Sequence, residues 1–273
     1  MNILDNIIRD KKKEVTLKKE YLPVQILEQM PSFERHTISL VKQLKNSKAG
    51  IIAEFKRKSP SKSVINNTAN VEDVAIGYES AGVSGMSVLT DEIYFGGALD
   101  DLVIARENCK LPLLRKDFII DTYQLLEAKA FGADVILLIA SVLKTKELKQ
   151  FSEFAKSIGL EVLLEVHNEE ELQRSMMPSV DMIGVNNRNL KTFEVSLAMS
   201  KQLASKIPNH FVKISESGIS SVRAIQELKP YGYQGFLIGE NFMKTEDPGE
   251  SASVFIKKLK SSSNSSKGGE FKR

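Results

Sequence analysis

The 273-residue chain contains a single cysteine, Cys109, so no disulfide can form within it. That excludes a disulfide-stapled scaffold and fits a reducing, cytoplasmic setting. Cys109 lies in a polar stretch with no histidine close in sequence, which makes it a poor candidate nucleophile. Only three histidines occur, His36, His167 and His210, and none stands with cysteine or carboxylates at metal-site spacing. Long apolar runs are missing as well. No window approaches the roughly 18 apolar residues that suggest a membrane span. The opening MNILDNIIRDKKKEV is amphipathic and charge-rich, unlike a secretory leader. Nor is there an excess of one charge: 38 basic residues face 35 acidic ones, for a net charge of +3. This balance argues for no nucleic-acid and no membrane partner, and the lysines of KRKSPSK have no interleaved aromatics.

What is present is regular. Hydrophobic residues make up 42% of the chain and charged residues 27%, the balance of a globular enzyme with a large core. Short apolar segments recur at 51–55, 86–90, 111–114, 135–139, 161–165, 182–185, 212–215 and 235–238, their starts 21 to 35 residues apart. That interval holds a strand and its return helix. Nearly continuous hydrophobicity suits parallel strands covered on both faces. Helical spacing fills the gaps: Val71, Val74, Ala75, Tyr78 and Ala81 before Gly82, and Leu148, Phe151, Ala155 and Ile158 before Gly159. Ser220 and Ser221 are plausible caps for VRAIQELK. Eight such units predict an α/β protein, a single (βα)8 TIM barrel over 50–260. An open doubly wound sheet would need fewer units and would bind its ligand at a switch point.

Residues 1–49 form an N-terminal helical extension. Ile3, Leu4, Ile7 and Ile8 share one helical face, and Phe33, Ile38, Leu40, Val41 and Leu44 suggest a second. Such helices either plug or flank the barrel bottom, or cover its active end. The tail 261–273 has almost nothing to bury and is expected to be disordered.

In such barrels the chemistry sits at the C-terminal ends of the strands. Strand residues alternate in direction, so if Ala53 and Phe55 face the helices, Glu54 and Lys56 point into the mouth. Alternatively the strand has already ended there and both charges are solvated. Other strand ends bear on the choice. Lys116 follows an apolar run, Glu165 closes VLLE, Asn186 and Arg188 follow MIGV, and Glu216, Ser217 and Gly218 follow VKIS. Gly218 and Gly239 follow the last two strands, where barrels often grip phosphate through backbone N–H groups; the plainer alternative is a pair of tight turns. Glu240 beside a phosphate would have to turn its carboxylate away. His167 could share the face of Glu165, but a solvent-facing loop position fits its sequence context better.

With IIAEFKRKSPSK, LRKDFI, GADVILLI, LLEVHNEEEL, IGVNNRNL and KISESGI in this order, the chain resembles the indole-3-glycerol-phosphate synthase family over about residues 1–260. The resemblance implies conversion of 1-(o-carboxyphenylamino)-1-deoxyribulose 5-phosphate to indole-3-glycerol phosphate in tryptophan biosynthesis. CO2 and water are released, with no metal or organic cofactor. It implies Lys116 as general acid at the ketone oxygen and Glu165 as its acid–base partner. Lys56 would assist ring closure or dehydration, with Glu54 between the lysines keeping them charged. Asn186, Glu216 and Ser217 would hydrogen-bond the sugar chain. Ser59 and Arg188 would handle the substrate's anions or brace the catalytic glutamate. Gly218, Gly239 and the backbone of Glu240 would hold the phosphate. Phe95 and Phe118 would flank the anthranilate ring or serve only in packing. A monomer or weak homodimer is expected.

The family commonly has glycine after SPSK where this chain has Ser63; if that position needs positive φ, serine meets a modest conformational cost or the loop differs. Two rivals remain. A phosphoribosylanthranilate isomerase on the same scaffold would call for a Cys and an Asp, whereas the first strand offers Glu54 and no suitable Cys is present. A catalytically silent, metabolite-binding barrel would have no need of Glu54, Lys56, Lys116 and Glu165 together.

Overall fold

Eight parallel strands close on themselves in sequence order in a computed structural model that describes residues 3–48, 50–189 and 192–265. They are β1 (Gly50–Phe55), β2 (Gly85–Leu89), β3 (Leu113–Lys116), β4 (Val135–Ile139), β5 (Glu161–Val166), β6 (Met182–Asn186), β7 (Val212–Glu216) and β8 (Gly235–Ile238). The barrel closes where Ile52 of β1 pairs with Leu237 of β8. Helices return between strands, and the (βα)8 architecture read from the apolar spacing is the one observed.

The main shift is at β3, expected at 111–114 and found at Leu113–Lys116. Pro112 has no N–H to give a ladder, although its carbonyl accepts from the Met86 N–H at 3.0 Å. The apolar run therefore starts before the strand does. The displacement brings Arg115 and Lys116 into register with Val88 and Leu89 of β2.

Alternation along the strands divides the core in two. Ala53, Phe55, Val88, Leu113, Leu138 and Val185 pack outward against the helices. Ile52, Leu114, Leu137, Leu163, Met182 and Ile214 fill the barrel interior. Because Ala53 and Phe55 face the helices, Glu54 lies on the inner face and Lys56 returns to pair with it.

The helical interpunctuation follows the local chemistry. The helix Val71–Ala81 stops at Gly82, whose φ of 79° is left-handed. Thr145–Ser157 ends just before Gly159, with φ of 81°. Ser221 caps Val222–Leu228 by accepting from the Ala224 N–H.

Both readings of the extension apply, to different helices. In Leu40–Asn46, capped by Ser39, Leu40 and Leu44 are fully buried in the inner cluster beneath the barrel. In Ile3–Tyr21, Ile3, Leu4 and Ile7 reach over the opposite end and line its cavity. The last helix, Pro248–Ser265, runs into the segment expected to be disordered, and 266–273 lie outside the described residues.

Candidate active site

A cavity of about 430 Å³ opens at the C-terminal ends of the strands. Glu54, Lys56, Ser59, Phe95, Lys116 and Phe118 line one part of it. Glu165, Asn186, Arg188, Glu216, Ser217, Gly218, Gly239 and Glu240 line the rest, so all the residues to which the resemblance gives a catalytic or substrate-binding role border one space.

At its centre is a compact set of charges. Lys116 Nζ donates to Glu165 Oε2 at 3.0 Å and lies 3.4 Å from Glu216 Oε2. Glu165 Oε1 accepts from Asn186 Nδ2 at 3.2 Å, and Asn186 Oδ1 accepts from the Arg188 N–H at 3.0 Å. On the neighbouring side Lys56 Nζ is 2.6 Å from Glu54 Oε1.

The electrostatics follow from burial against pairing. Burial alone would favour a neutral Lys116 amine, but Glu165, Glu216 and Glu54 outweigh it and hold the ammonium well above its ordinary range. Burial likewise disfavours an ionised Glu165; Lys116, His167 and Asn186 reverse that and keep the carboxylate well below its usual range. For Glu216 burial prevails. Opposed by Lys116 and reinforced by the negative charges of Glu165 and Glu54, it lifts the carboxyl to about 7. Among the described residues its buried Oε1 has no hydrogen-bond partner. The site thus combines a fixed ammonium, a fixed carboxylate and a carboxyl that titrates near neutrality.

Three features of the surroundings escaped the sequence reading. Gly184 on β6 leaves the volume that Glu216 occupies, since a Cβ there would run into Glu216 Oε1. Glycine inside a strand is the signal that a close approach is required. Gly239 does the same for Glu54, so its part in the site includes making room for a side chain. Asn187, 4% exposed, donates to Ser215 Oγ at 2.9 Å and to the carbonyls of Glu216 and Ser217 at 3.0 and 3.1 Å. It fastens the β7 turn, in which Ser217 and Gly218 both take left-handed conformations, φ 65° and 77°. For serine that conformation costs about 1–2 kcal/mol.

His167 requires a correction. It is not solvated: its side chain is 10% exposed, with Nε2 3.3 Å from Glu165 Oε1. The helix that follows β5 presents Glu171 to the other face of the ring and draws it inward.

The remaining positions behave as follows. Phe95 and Phe118 meet at a centroid distance of 6.1 Å and an interplanar angle of 41°, both on the cavity. Ser59 and Lys62 exchange backbone hydrogen bonds of 2.9 and 3.0 Å in the loop after β1. Lys62 reaches Glu240 Oε1 at 3.0 Å, which engages the carboxylate next to Gly239. The Arg188 guanidinium donates to the Phe193 carbonyl at 3.3 Å, and its backbone braces Asn186. Ser63 pays no conformational cost, since Phe193 and Ser217 are the only non-glycine residues with positive φ among the described residues.

Among the described residues no cluster of His, Cys, Asp or Glu is arranged to hold a metal, and no helix is long and apolar enough to cross a membrane. A closed parallel barrel with ammonium and carboxylate groups converging at its C-terminal mouth defines an enzyme of the (βα)8 class. The sequence profile of the indole-3-glycerol phosphate synthase family matches residues 4–255, and the chain belongs to that family. It is 46% identical over 258 residues to the indole-3-glycerol phosphate synthase of Bacteroides thetaiotaomicron, covering 94% of this chain and 99% of that one. It is 40% identical to that of Campylobacter jejuni subsp. doylei, covering 93% and 100%. It is therefore a carboxy-lyase of tryptophan biosynthesis. Among solved structures, 3-hexulose-6-phosphate synthase from Salmonella typhimurium superposes with a TM-score of 0.62 at 14% identity, covering 78% of this chain and 99% of that one. Thiamine phosphate pyrophosphorylase from Pyrococcus furiosus gives 0.59 at 16% identity, covering 82% and 98%. At such identities the likeness shows the fold alone.

Proposed function

We propose that this cavity closes the indole ring of 1-(o-carboxyphenylamino)-1-deoxyribulose 5-phosphate, with Lys116 as general acid and Glu165 as its acid–base partner. The observation that carries the reading is the Lys116–Glu165 hydrogen bond of 3.0 Å at the cavity wall, with the Lys56–Glu54 pair lining the same cavity.

The aromatic carbon bearing the carboxylate attacks the ketone carbon, and the C=O electron pair moves to oxygen. An ammonium at that oxygen stabilises the charge and delivers a proton, giving a hydroxyl. Loss of CO2 returns its bonding pair to the ring and restores aromaticity. In the second stage the hydroxyl leaves as water with a proton from the acid. The amine lone pair assists, and loss of a C–H proton to a carboxylate completes the indole. Glu165 serves as the proton acceptor, with Lys56 beside Glu54 as a second cation for closure or dehydration. Phe95 and Phe118, in contact with each other at the cavity wall, offer an apolar surface beside the anthranilate ring. Ser59 and Arg188 meet the substrate's anions; Asn186, Glu216 and Ser217 meet the sugar hydroxyls.

The phosphate belongs at Gly218, Gly239 and Glu240, where the backbone bends sharply and Lys244 adds a positive charge at the cavity. Lys62 supports this role by occupying the Glu240 carboxylate, which would otherwise repel the anion.

Mixing the purified protein with this ketose phosphate and following indole fluorescence tests the reading. Lys116→Met is expected to reduce turnover by at least ~10²-fold with the fold retained by circular dichroism. Near-normal turnover in that variant would remove Lys116 from the role of acid.

A further inference from the structure

His167 does not line the cavity and has no part in the roles above, yet its side chain, 10% exposed, stands between two carboxylates. Nε2 lies 3.3 Å from Glu165 Oε1, an ion-pair distance without hydrogen-bond alignment, and Nδ1 is hydrogen-bonded to Glu171 Oε2 at 3.3 Å. The arrangement is held from behind. The His167 backbone N–H donates to Glu171 Oε2 at 2.8 Å, and Asn168 Nδ2 donates to Glu171 Oε1 at 3.0 Å. In return the Glu171 N–H donates to Asn168 Oδ1 at 2.9 Å. The first turn of the helix Glu169–Ser175 therefore fixes Glu171, Glu171 fixes the ring, and the ring faces Glu165.

A neutral imidazole has one N–H and one lone pair. Whichever nitrogen kept its lone pair would hold it within 3.3 Å of a carboxylate oxygen, with little water to screen the repulsion. Both carboxylates are accommodated only when both nitrogens carry protons. We propose that His167 is a positioning residue held as an imidazolium, which keeps Glu165 ionised and oriented for proton transfer with Lys116.

The proposal rests on the assignment of Glu165 as the acid–base group. The surrounding charges support it. Burial would favour the neutral ring, but Glu165 and Glu171 raise its pKa to about 10. Glu165 itself faces Lys116 from β3, Asn186 from β6 and His167, with Glu216 of β7 and Glu54 of β1 acting on the same lysine. Lys116 is thus shared among three carboxylates. His167 gives Glu165 a second cation, on the opposite oxygen, and without it a proton would settle on Glu165 at higher pH.

Two measurements test this on the intact enzyme. In protein labelled with 15N-histidine, the His167 signals, identified by their loss in His167→Gln, should show both ring nitrogens protonated at about pH 8, where an ordinary histidine is neutral. In parallel, kcat and KM are measured against pH for wild type, His167→Gln and Glu171→Gln. Both substitutions should move the acidic limb of kcat upward by about one unit or more, since losing the cation makes Glu165 easier to protonate. kcat near pH 7 should fall about tenfold with KM nearly unchanged, a split that a purely structural role would not produce. A neutral His167 ring at pH 8, or an acidic limb unmoved in both variants, overturns the proposal. If wild type makes no indole product, the assigned function fails instead, and the ring's protonation still decides the charge of His167.

Discussion

Gly184 offers the cavity no functional group, yet Glu216 depends on it. The carboxyl folds over the α-carbon, where a methyl would strike Oε1 and would lie 3.2 Å from the Leu163 side chain. Gly184→Ala is expected to cost about 1–3 kcal/mol of stability, the range for overpacking. It should also displace Glu216 from Lys116, so kcat should fall more than binding weakens. Chemical denaturation and steady-state kinetics on the same preparation check both, and wild-type kcat in this variant would show that Glu216 can sit elsewhere. At this scale the sequence displayed most of the site, because Glu54, Lys116, Glu165, Asn186 and Glu216 are polar residues ending apolar strands. It concealed residues whose role depends on a neighbour's shape. Gly184 is defined by Glu216, and His167 by Glu171 closing behind it; neither relation leaves a mark on the residue alone.

Among the elements, the two extension helices were left without a placement by the sequence, and for the first a buried ionic cluster decides it. Lys11, 1% exposed, reaches Glu14 Oε2 at 2.7 Å and both Asp91 Oδ2 and Asp117 Oδ1 at 3.0 Å. Asp117 also accepts from Thr90 Oγ1 at 2.6 Å and from Arg115 Nη2 at 3.0 Å. Arg115 continues to Glu127 at 2.7 Å on the next helix. This chain joins the extension to the residue after Lys116 and to the loop before Phe95. Hydrophobic periodicity reports which face of a helix is apolar, not which distant carboxylates await its lysine, so the joint was illegible in the sequence. β1 presented the same difficulty in miniature. Its parity was settled only when Ala53 and Phe55 were seen against the helices. Removing one partner of a buried ion pair typically costs about 3–5 kcal/mol, and Lys11→Met is expected to cost that much. Because Ile3, Leu4 and Ile7 of the same helix line the cavity, KM should rise as the helix loosens. Urea denaturation together with KM measures this. A destabilised variant with unchanged KM would separate the helix from substrate binding.

For the whole molecule, the buried charges predict how stability varies with pH. Glu216 has its carboxyl lifted from an ordinary 4.5 to about 7, so between these values the folded state holds a proton that the unfolded chain releases. Stability should therefore fall as pH rises through that window. His167 is raised from 6.5 to about 10, so its contribution is complete below 6.5 and is lost as pH climbs toward 10. Glu165 and Asp117 act oppositely. Their carboxylates are held below the ordinary range, so the stability they add is present above that range and disappears in acid. Lys116 and Lys11, raised by their partners, stay charged throughout. These trends place the maximum near pH 5 to 6, with a steep acid side and a gentler alkaline one. Urea midpoints at about pH 4, 5.5, 7.5 and 9 would trace the curve. His167→Gln should flatten the segment above 6.5, and Glu216→Gln the segment between 4.5 and 7. Were the wild-type midpoint to keep rising to pH 9, neither the imidazolium nor the raised carboxyl could belong to the folded protein. The site would then have to balance its charges by some other distribution of protons among Lys116, Glu165 and Glu216.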